Sequence, residues 1–345
     1  MKLIDTADAA GQVLCHDITQ IIRGKTKDAR FRKGHIVTEE DIPVLLSLGK
    51  DHLYVWEKDE TKLHENEAAQ VLSRICRNQW MAESEIKEGK IELTAECDGL
   101  FLVNSGKLKA VNRLGEMMIA TRHGRTAVRK GDKLAGMRVI PLVIDKQKME
   151  EAEQVAGEAP ILELRPFVKK KAVILTTGNE VYYGRIQDTF TPVVEEKLAE
   201  YGTELAGHTV LADDPDRLTR EIHRAVKELG AELVICTGGM SVDPDDKTPL
   251  AIRNTGADVI SYGAPVLPGA MFLLAYYENA GRRIPVLGLP GCVMYAKRTI
   301  FDLVLPRIMA DDKVTAEELA ALGEGGLCLN CDHCIYPNCG FGKGW

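Results

Sequence analysis

"VICTGGMSVDPDD", Val234 to Asp246, decides how the carboxyl-terminal half of this chain folds. Its short apolar run, Val234 to Cys236, suits a strand covered on both faces, as in a parallel sheet. The run stops at Gly238 and Gly239 and then turns acidic at Asp243, Asp245 and Asp246. Glycine has no Cβ to keep an anion away from backbone N–H groups. A buried strand therefore delivers bare backbone first and carboxylates second.

Outward from this stretch, strands and helices alternate. The pattern predicts strands over Lys171–Thr176, Leu205–Leu211, Glu232–Cys236 and Ile284–Leu289, with another near Ile260. Helices are expected over Thr189–Tyr201, Asp216–Leu229, Thr248–Asn254 and Val293–Met309. Such alternation implies a three-layer α/β domain, a parallel sheet with helices on both faces. In these sheets ligands bind at the carboxyl ends of the strands.

Two more expected strand ends carry glycine loops. "VILTTGNEV" supplies Thr176, Thr177, Gly178, Asn179 and Glu180, and "VLGLPGCVM" supplies Leu289, Pro290 and Gly291. With Thr237, Gly238, Gly239 and Ser241 they make a rim of N–H and hydroxyl donors suited to phosphate. Asp188, in "GRIQDTFTP", and Asp246 would stand beside the bound anion. Carboxylates next to phosphate call for a bridging divalent cation, most commonly Mg²⁺. Taken singly, Asp188 reads equally well as a cap on the helix holding Pro192, and Asp246 as a cap or surface charge.

In order and spacing these loops resemble the molybdopterin-binding domain shared by enzymes that adenylylate molybdopterin and enzymes that then insert molybdate; gephyrin contains both kinds. The likeness runs from Val173 to Ile308. "TTGNEV" resembles a Thr-Gly-Asp-Glu loop, "GRIQDTFTP" a Gly-x-Ile-x-Asp segment, and "TGGMSVDPDD" a Thr-Gly-Gly-x-Ser-Val-x-x-x-Asp segment. The resemblance implies that Asp188 and Asp246 are catalytic acids around Mg²⁺ and the adenylylated pyrophosphate. It assigns pterin-phosphate binding to Thr176, Thr177, Gly178, Asn179, Glu180, Thr237, Gly238, Gly239 and Ser241. "LPGAM", with Pro268 and Gly269, and "LPGCV", with Pro290 and Gly291, resemble the family's Pro-Gly-Lys-Pro and Leu-Pro-Gly-Asn-Pro loops. Here Asn179 replaces an Asp, Ala270 and Met271 replace Lys-Pro, and Cys292 and Val293 replace Asn-Pro. The Ser-x-Met-Asp-Gly-Tyr-Ala segment of the molybdotransferases is absent from the amino-terminal half.

Smaller modules precede this domain. Residues 1–60 read as α+β, with Thr38 as an N-cap, a helix ending at Gly49, and a strand from Leu53 to Trp56. Residues 61–165 read as a helix from Glu65 to Glu83, then β-rich runs ("KIELTAECDGLFLV", "KAVNRL", "MMIATRHG", "MRVIPLVID") and a connector punctuated by Gly157, Pro160 and Pro166. The binding domain is expected over 166–311 and a cysteine-rich tail over 312–345.

That tail, "CLNCDHCIYPNCGFGKGW", places Cys328, Cys331, Cys334 and Cys339 at C-x2-C-x2-C-x4-C. Three thiolates at successive x2 spacings resemble a ferredoxin-type iron–sulfur loop. Structural Zn²⁺ is the rival, although its sites usually separate two knuckles by a longer stretch. Free thiols on a loose tail are the third reading. The remaining five cysteines (Cys15, Cys76, Cys97, Cys236 and Cys292) are scattered and read as buried thiols.

Lys and Arg total 44 against 51 Asp and Glu, a formal charge of −7. That balance argues against a general nucleic-acid or membrane-surface binder. Local basic stretches, Lys169 to Lys171 and Arg122 to Lys130, read as solvated turns and strand entries. The histidines, His208 among them, read as structural or surface groups. The amino terminus lacks an apolar core typical of a leader, and no stretch is long enough to span a bilayer, so the cytoplasm is the expected compartment.

The function implied by the resemblance is Mg²⁺-dependent insertion of molybdate into adenylylated molybdopterin, by positioning and charge neutralisation. Its partners would be the pterin phosphate, molybdate and a recipient molybdoenzyme apoprotein, and its assembly a homodimer. A cofactor carrier without catalysis is the first alternative, and a nucleotide pyrophosphatase on the same fold the second.

Overall fold

The structure, a computed structural model, describes residues 1–22, 26–55, 59–241, 243 and 246–344. Trp56, the expected end of one strand, and Asp245 of the acidic run lie outside the described residues. The chain forms two compact units: Met1–Glu96, Val103–Arg122 and Lys130–Glu163 make the first, and Cys97–Leu102, His123–Arg129 and Leu164–Trp345 the second. Segments 1–60 and 61–165 thus share one unit apart from two short excursions, and the tail belongs to the other.

The first unit is built from small antiparallel sheets. Lys2–Asp5 pairs with His52–Val55, and Ile18–Ile22 with Thr26–Phe31. Its first helix starts at Asp41, later than Thr38 suggests, because the Asp41 carboxylate accepts the Thr38 N–H at 2.9 Å and its hydroxyl at 2.8 Å. The helix from Glu65 stops at Cys76, since Met81–Glu83 pairs as an edge strand with Lys90–Ala95. "KAVNRL" lies on a helix, Ser105–Asn112, capped by Asn104, which accepts the Lys107 N–H at 3.0 Å. The expected connector is a helix as well: Lys146–Ala156 buries Met149, Ala152 and Ala156 on one face and ends at Gly157 with φ +65°. Its charged residues are the solvent face of an amphipathic element.

The main sheet of the second unit and the helices around it are β1 (Lys171–Thr177), α1 (Phe190–Ala199), β2 (Glu204–Leu211), α2 (Pro215–Lys227), β3 (Leu233–Thr237), α3 (Thr248–Asn254), β4 (Asp258–Tyr262), β5 (Leu273–Asn279), β6 (Arg282–Leu289) and α4 (Ile300–Met309). They form a six-stranded sheet in the order β2-β1-β3-β6-β5-β4. Strands β2, β1, β3 and β6 run parallel, while β5 is antiparallel to both β6 and β4. The expected parallel sheet is present, with two antiparallel-paired strands added at one edge. Strand β5 escaped the sequence reading; Ala280 (φ +49°) and Gly281 (φ +76°) form the tight turn that joins it to β6.

Alternate residues of the central strands serve opposite faces. Ala172 and Ile174 of β1 join Leu233 and Ile235 of β3 in a core shared with Phe190, Val194 and Leu198 of α1 and with α4. Val173, Leu175, Val234 and Cys236 join Leu218, Ile222 and Ala225 of α2 and Ile252 of α3 on the other side. Period-2 alternation with both faces apolar is what fixes three layers here. The last expected helix is shorter than predicted: a single turn, Gly291–Met294, precedes Thr299, whose side chain and Asp302 form a capping box that starts α4 at Ile300. Two residues of the basic stretches are paired within this unit, Lys170 with Asp311 at 2.5 Å and Arg125 with Glu318 at 3.0 Å.

Candidate functional site

The carboxyl ends of β1, β3 and β6 open into one cavity of ≈ 320 Å³. Thr176, Thr177 and Glu180 reach it from the first loop, Gly238, Gly239 and Ser241 from the second, and Pro290 and Gly291 from the third. Asp188 and Asp246 line it too. Other predicted residues stand back from its wall. Thr237 is fully buried and donates to Thr176 Oγ1 at 3.1 Å. Asn179 is tied to Asp213, with its N–H on the carboxylate at 2.9 Å, and Gly178, Pro268 and Gly269 shape their loops without lining the cavity.

The double glycine is sterically required. Gly238 has φ +81°, and a Cβ there would lie 2.0 Å from the Thr177 carbonyl oxygen. Gly239 has φ +56°, and its Cβ would meet Thr248 Oγ1 at 2.8 Å. Threonine hydroxyls pin this loop from below: Thr248 Oγ1 donates to the Gly238 carbonyl at 2.9 Å and lies 3.2 Å from Thr177 Oγ1. The loop closes with the Ser241 N–H donating to Asp246 Oδ2 at 2.9 Å.

Asp188 organises the opposite wall. Its Oδ1 accepts the N–H groups of Phe190 (2.9 Å) and Thr191 (3.0 Å), capping the start of α1. Its Oδ2 accepts the Thr191 hydroxyl at 2.6 Å and lies 3.4 Å from His208 Nε2. Burial opposes ionisation, but the bonds from Thr191 and Phe190 and the neighbouring imidazole outweigh it, and the carboxyl is held below its ordinary value. The capping role weighed from sequence is therefore realised, at a residue that also faces the cavity.

His208 was read from sequence as a bystander. It sits on β2 opposite Ile174 of β1, and its Nε2 is 3.0 Å from Thr176 Oγ1 and 3.1 Å from Thr191 Oγ1. No local signal marks it, because the strand "ELAGHTVL" also carries Glu204 and Thr209. Most of the apolar wall was missed as well: Val181, Ile186, Met240 and Met294 line the same cavity beside Met271 and Leu289, which the loop patterns name. Cys236, one residue before the loop, is no nucleophile, since burial pushes its thiol up to about 12.

The electrostatics of the lining are one-sided. Among the described residues that line it, Glu180, Asp188 and Asp246 are acidic, and no Lys, Arg or His is present. No three His, Cys, Asp or Glu side chains among the described residues are gathered to hold an ion by themselves. The donor set suits Mg²⁺ in the form it takes with one or two carboxylates, completed by substrate phosphate and water.

Residues 173–310 match the family model "Probable molybdopterin binding domain", and residues 3–57 match a domain of unknown function. A CinA-like protein of Mycobacterium tuberculosis is 37% identical over 94 residues, 27% of this chain and 22% of that protein. One from Thermosipho melanesiensis is 40% identical over 86 residues, 25% of this chain and 21% of its own length. The chain thus spans about a fifth of the length of the curated relatives it matches. Among solved structures, the tungsten cofactor synthesizing protein MoaB of Pyrococcus furiosus is 18% identical, with a TM-score of 0.35, covering 42% of this chain and 98% of that one.

Proposed function

Proceeding from an α/β domain of the molybdopterin-binding family, we propose that the cavity binds molybdopterin, or its adenylylated form, by its phosphates, and that the protein inserts molybdate into it with Mg²⁺. The observation that carries this reading is an anion cradle built without a cation. Glycine backbone and hydroxyls offer phosphate donors, yet the only charged side chains on the described lining are Glu180, Asp188 and Asp246. A polyanion beside three carboxylates is repelled unless a divalent cation intervenes.

The chain's own contributions follow from the geometry. Gly238, Gly239 and Gly291 let phosphate approach the backbone, and Ser241 adds a hydroxyl. The methionines and Leu289 give a flat, apolar ligand body a wall that excludes water. Asp246, with Asp188 second, would hold Mg²⁺, which when bound neutralises phosphate charge as a Lewis acid. His208 and Thr191 keep Asp188 fixed and ionised. Catalysis of this kind rests on preorganised charge and position, and needs no covalent nucleophile. Delivery to a molybdoenzyme apoprotein and assembly as a homodimer belong to the same reading.

A second reading, binding and delivery without transfer, is favoured by one feature. Ala270 and Met271 stand where a Lys-Pro pair would supply a cation, and Met271 lines the cavity. Calorimetric titration of molybdopterin and its adenylylated form, with Mg²⁺ and with a chelator, tests both. The adenylylated form should bind tightly and be lost on chelation. Binding indifferent to Mg²⁺ would remove the metal from the account, and failure of both pterins alongside binding of other nucleotides would make the site a nucleotide-pyrophosphate one.

A further inference from the structure

The cysteine tail is a packed part of the second unit. The Leu267 N–H donates to the Gly326 carbonyl at 2.8 Å, and the Cys328 N–H returns to the Leu267 carbonyl at 2.8 Å. Phe341 is buried in the core that includes α4, with Tyr336, Cys328 and Cys339 packed against it. The Tyr336 hydroxyl donates to the Asp302 carbonyl at 3.0 Å. The segment is therefore anchored at both ends, with the loop between them closed over a hollow.

That hollow is a second cavity, of ≈ 220 Å³, sharing no lining residue with the first. Cys328, Cys331, Cys334 and Cys339 all line it, together with Lys297 and Arg298. We propose that these four cysteines ligate a [4Fe–4S] cluster in this cavity.

Three observations carry the assignment beyond the spacing. A structural zinc draws its four sulfurs to about 2.3 Å from one centre. Among the described residues no three such ligands are grouped for a single ion, whereas all four cysteines line one common space. A cube of iron and sulfide fills such a space and keeps its thiolates apart. Second, all four cysteines are free thiols, and Cys331 and Cys334 are exposed, so the ligands are accessible to cluster assembly. Third, a cluster with four thiolates is anionic, and two cationic residues, Lys297 and Arg298, line the cavity. Lys297 Nζ donates to the carbonyls of Cys331 (3.2 Å) and Asp332 (2.9 Å), which also fixes the loop. Arg298 lies 5.1 Å from the Tyr336 ring centroid and hydrogen-bonds Asp302 at 2.8 Å.

The test uses the full chain, produced anaerobically and reconstituted with ferrous iron and sulfide. Iron and acid-labile sulfide are measured per chain, with the thiolate-to-iron absorption and the resonance spectrum of the reduced protein. The proposal expects four of each per chain. Cys331→Ser and Cys334→Ser should lose the absorption and most of the iron while unfolding thermally like the native chain before reconstitution, because both side chains are exposed and only the bound cluster adds stability to the folded state. Cys97→Ser, outside the cavity, should keep both. One zinc per chain without labile sulfide, no bound metal, or full iron in the two serine variants would overturn it. The result does not depend on what the phosphate cavity binds, so the two assignments fail separately.

Discussion

Replacing Gly238 by Ala should damage the protein through two separable terms. The first is conformational: an L-residue in the left-handed region costs roughly 1–2 kcal/mol, and Gly238 has φ +81°. The second is steric. The new Cβ would lie 2.0 Å from the Thr177 carbonyl oxygen, whereas real Cβ atoms essentially never come under 3.0 Å, so the loop or the end of β1 must yield by about 1 Å. Forcing packed backbone apart in this way costs about 1–3 kcal/mol. Gly184→Ala isolates the first term, because Gly184 has φ +67° with nothing within 4 Å of a Cβ. For a unit of this size each kcal/mol lowers Tm by about 2–4 °C. Gly238→Ala should therefore melt about 2–12 °C below Gly184→Ala, by the steric term alone. Thermal unfolding followed by circular dichroism measures the difference, and ligand titration should show pterin binding impaired only in Gly238→Ala. Equal melting temperatures and equal binding would refute the close packing of the loop on β1.

Other consequences are open to measurement. Asp188→Ala removes a helix cap and should cost about 0.5–2 kcal/mol by denaturant titration. Because the native Asp188 pKa is depressed, its charge stabilises the fold above the ordinary value of 3.8, and that contribution fades as pH falls below it; the gap between wild type and Asp188→Asn should close over that acid range. Asp246→Asn keeps an acceptor for the Ser241 N–H, so its melting should match wild type while Mg²⁺-dependent binding falls at least tenfold in titration. Phe341→Ala should cost about 3–5 kcal/mol if the tail is packed as described, and a melt unchanged from wild type would contradict that packing.

Much of the α/β unit was legible because its strands are apolar on both faces and its helices are not, so the change of period marks each element. The antiparallel edge was not legible. Leu273–Asn279 carries two tyrosines and follows a loop, and what reveals it is the left-handed turn at Ala280 and Gly281. The helix Lys146–Ala156 looked like a linker because its charged face dominates its composition, while only Met149, Ala152 and Ala156 turn inward. At the site, loop glycines and acids could be read from spacing. His208 could not, because its place beside Asp188 depends on the register of β2 against β1, which no local pattern encodes. The one-sided charge of the cavity also emerges only when the loops converge, because among the described residues none brings a basic side chain into its lining.

The measurement that bears most directly on the central claim is anaerobic AMP release from adenylylated molybdopterin, with molybdate, in Mg²⁺ and then in chelator, for the native chain, Asp188→Ala and Asp246→Ala. Release should require molybdate, Mg²⁺ and both carboxylates. Release that persists in chelator or in both variants would contradict it.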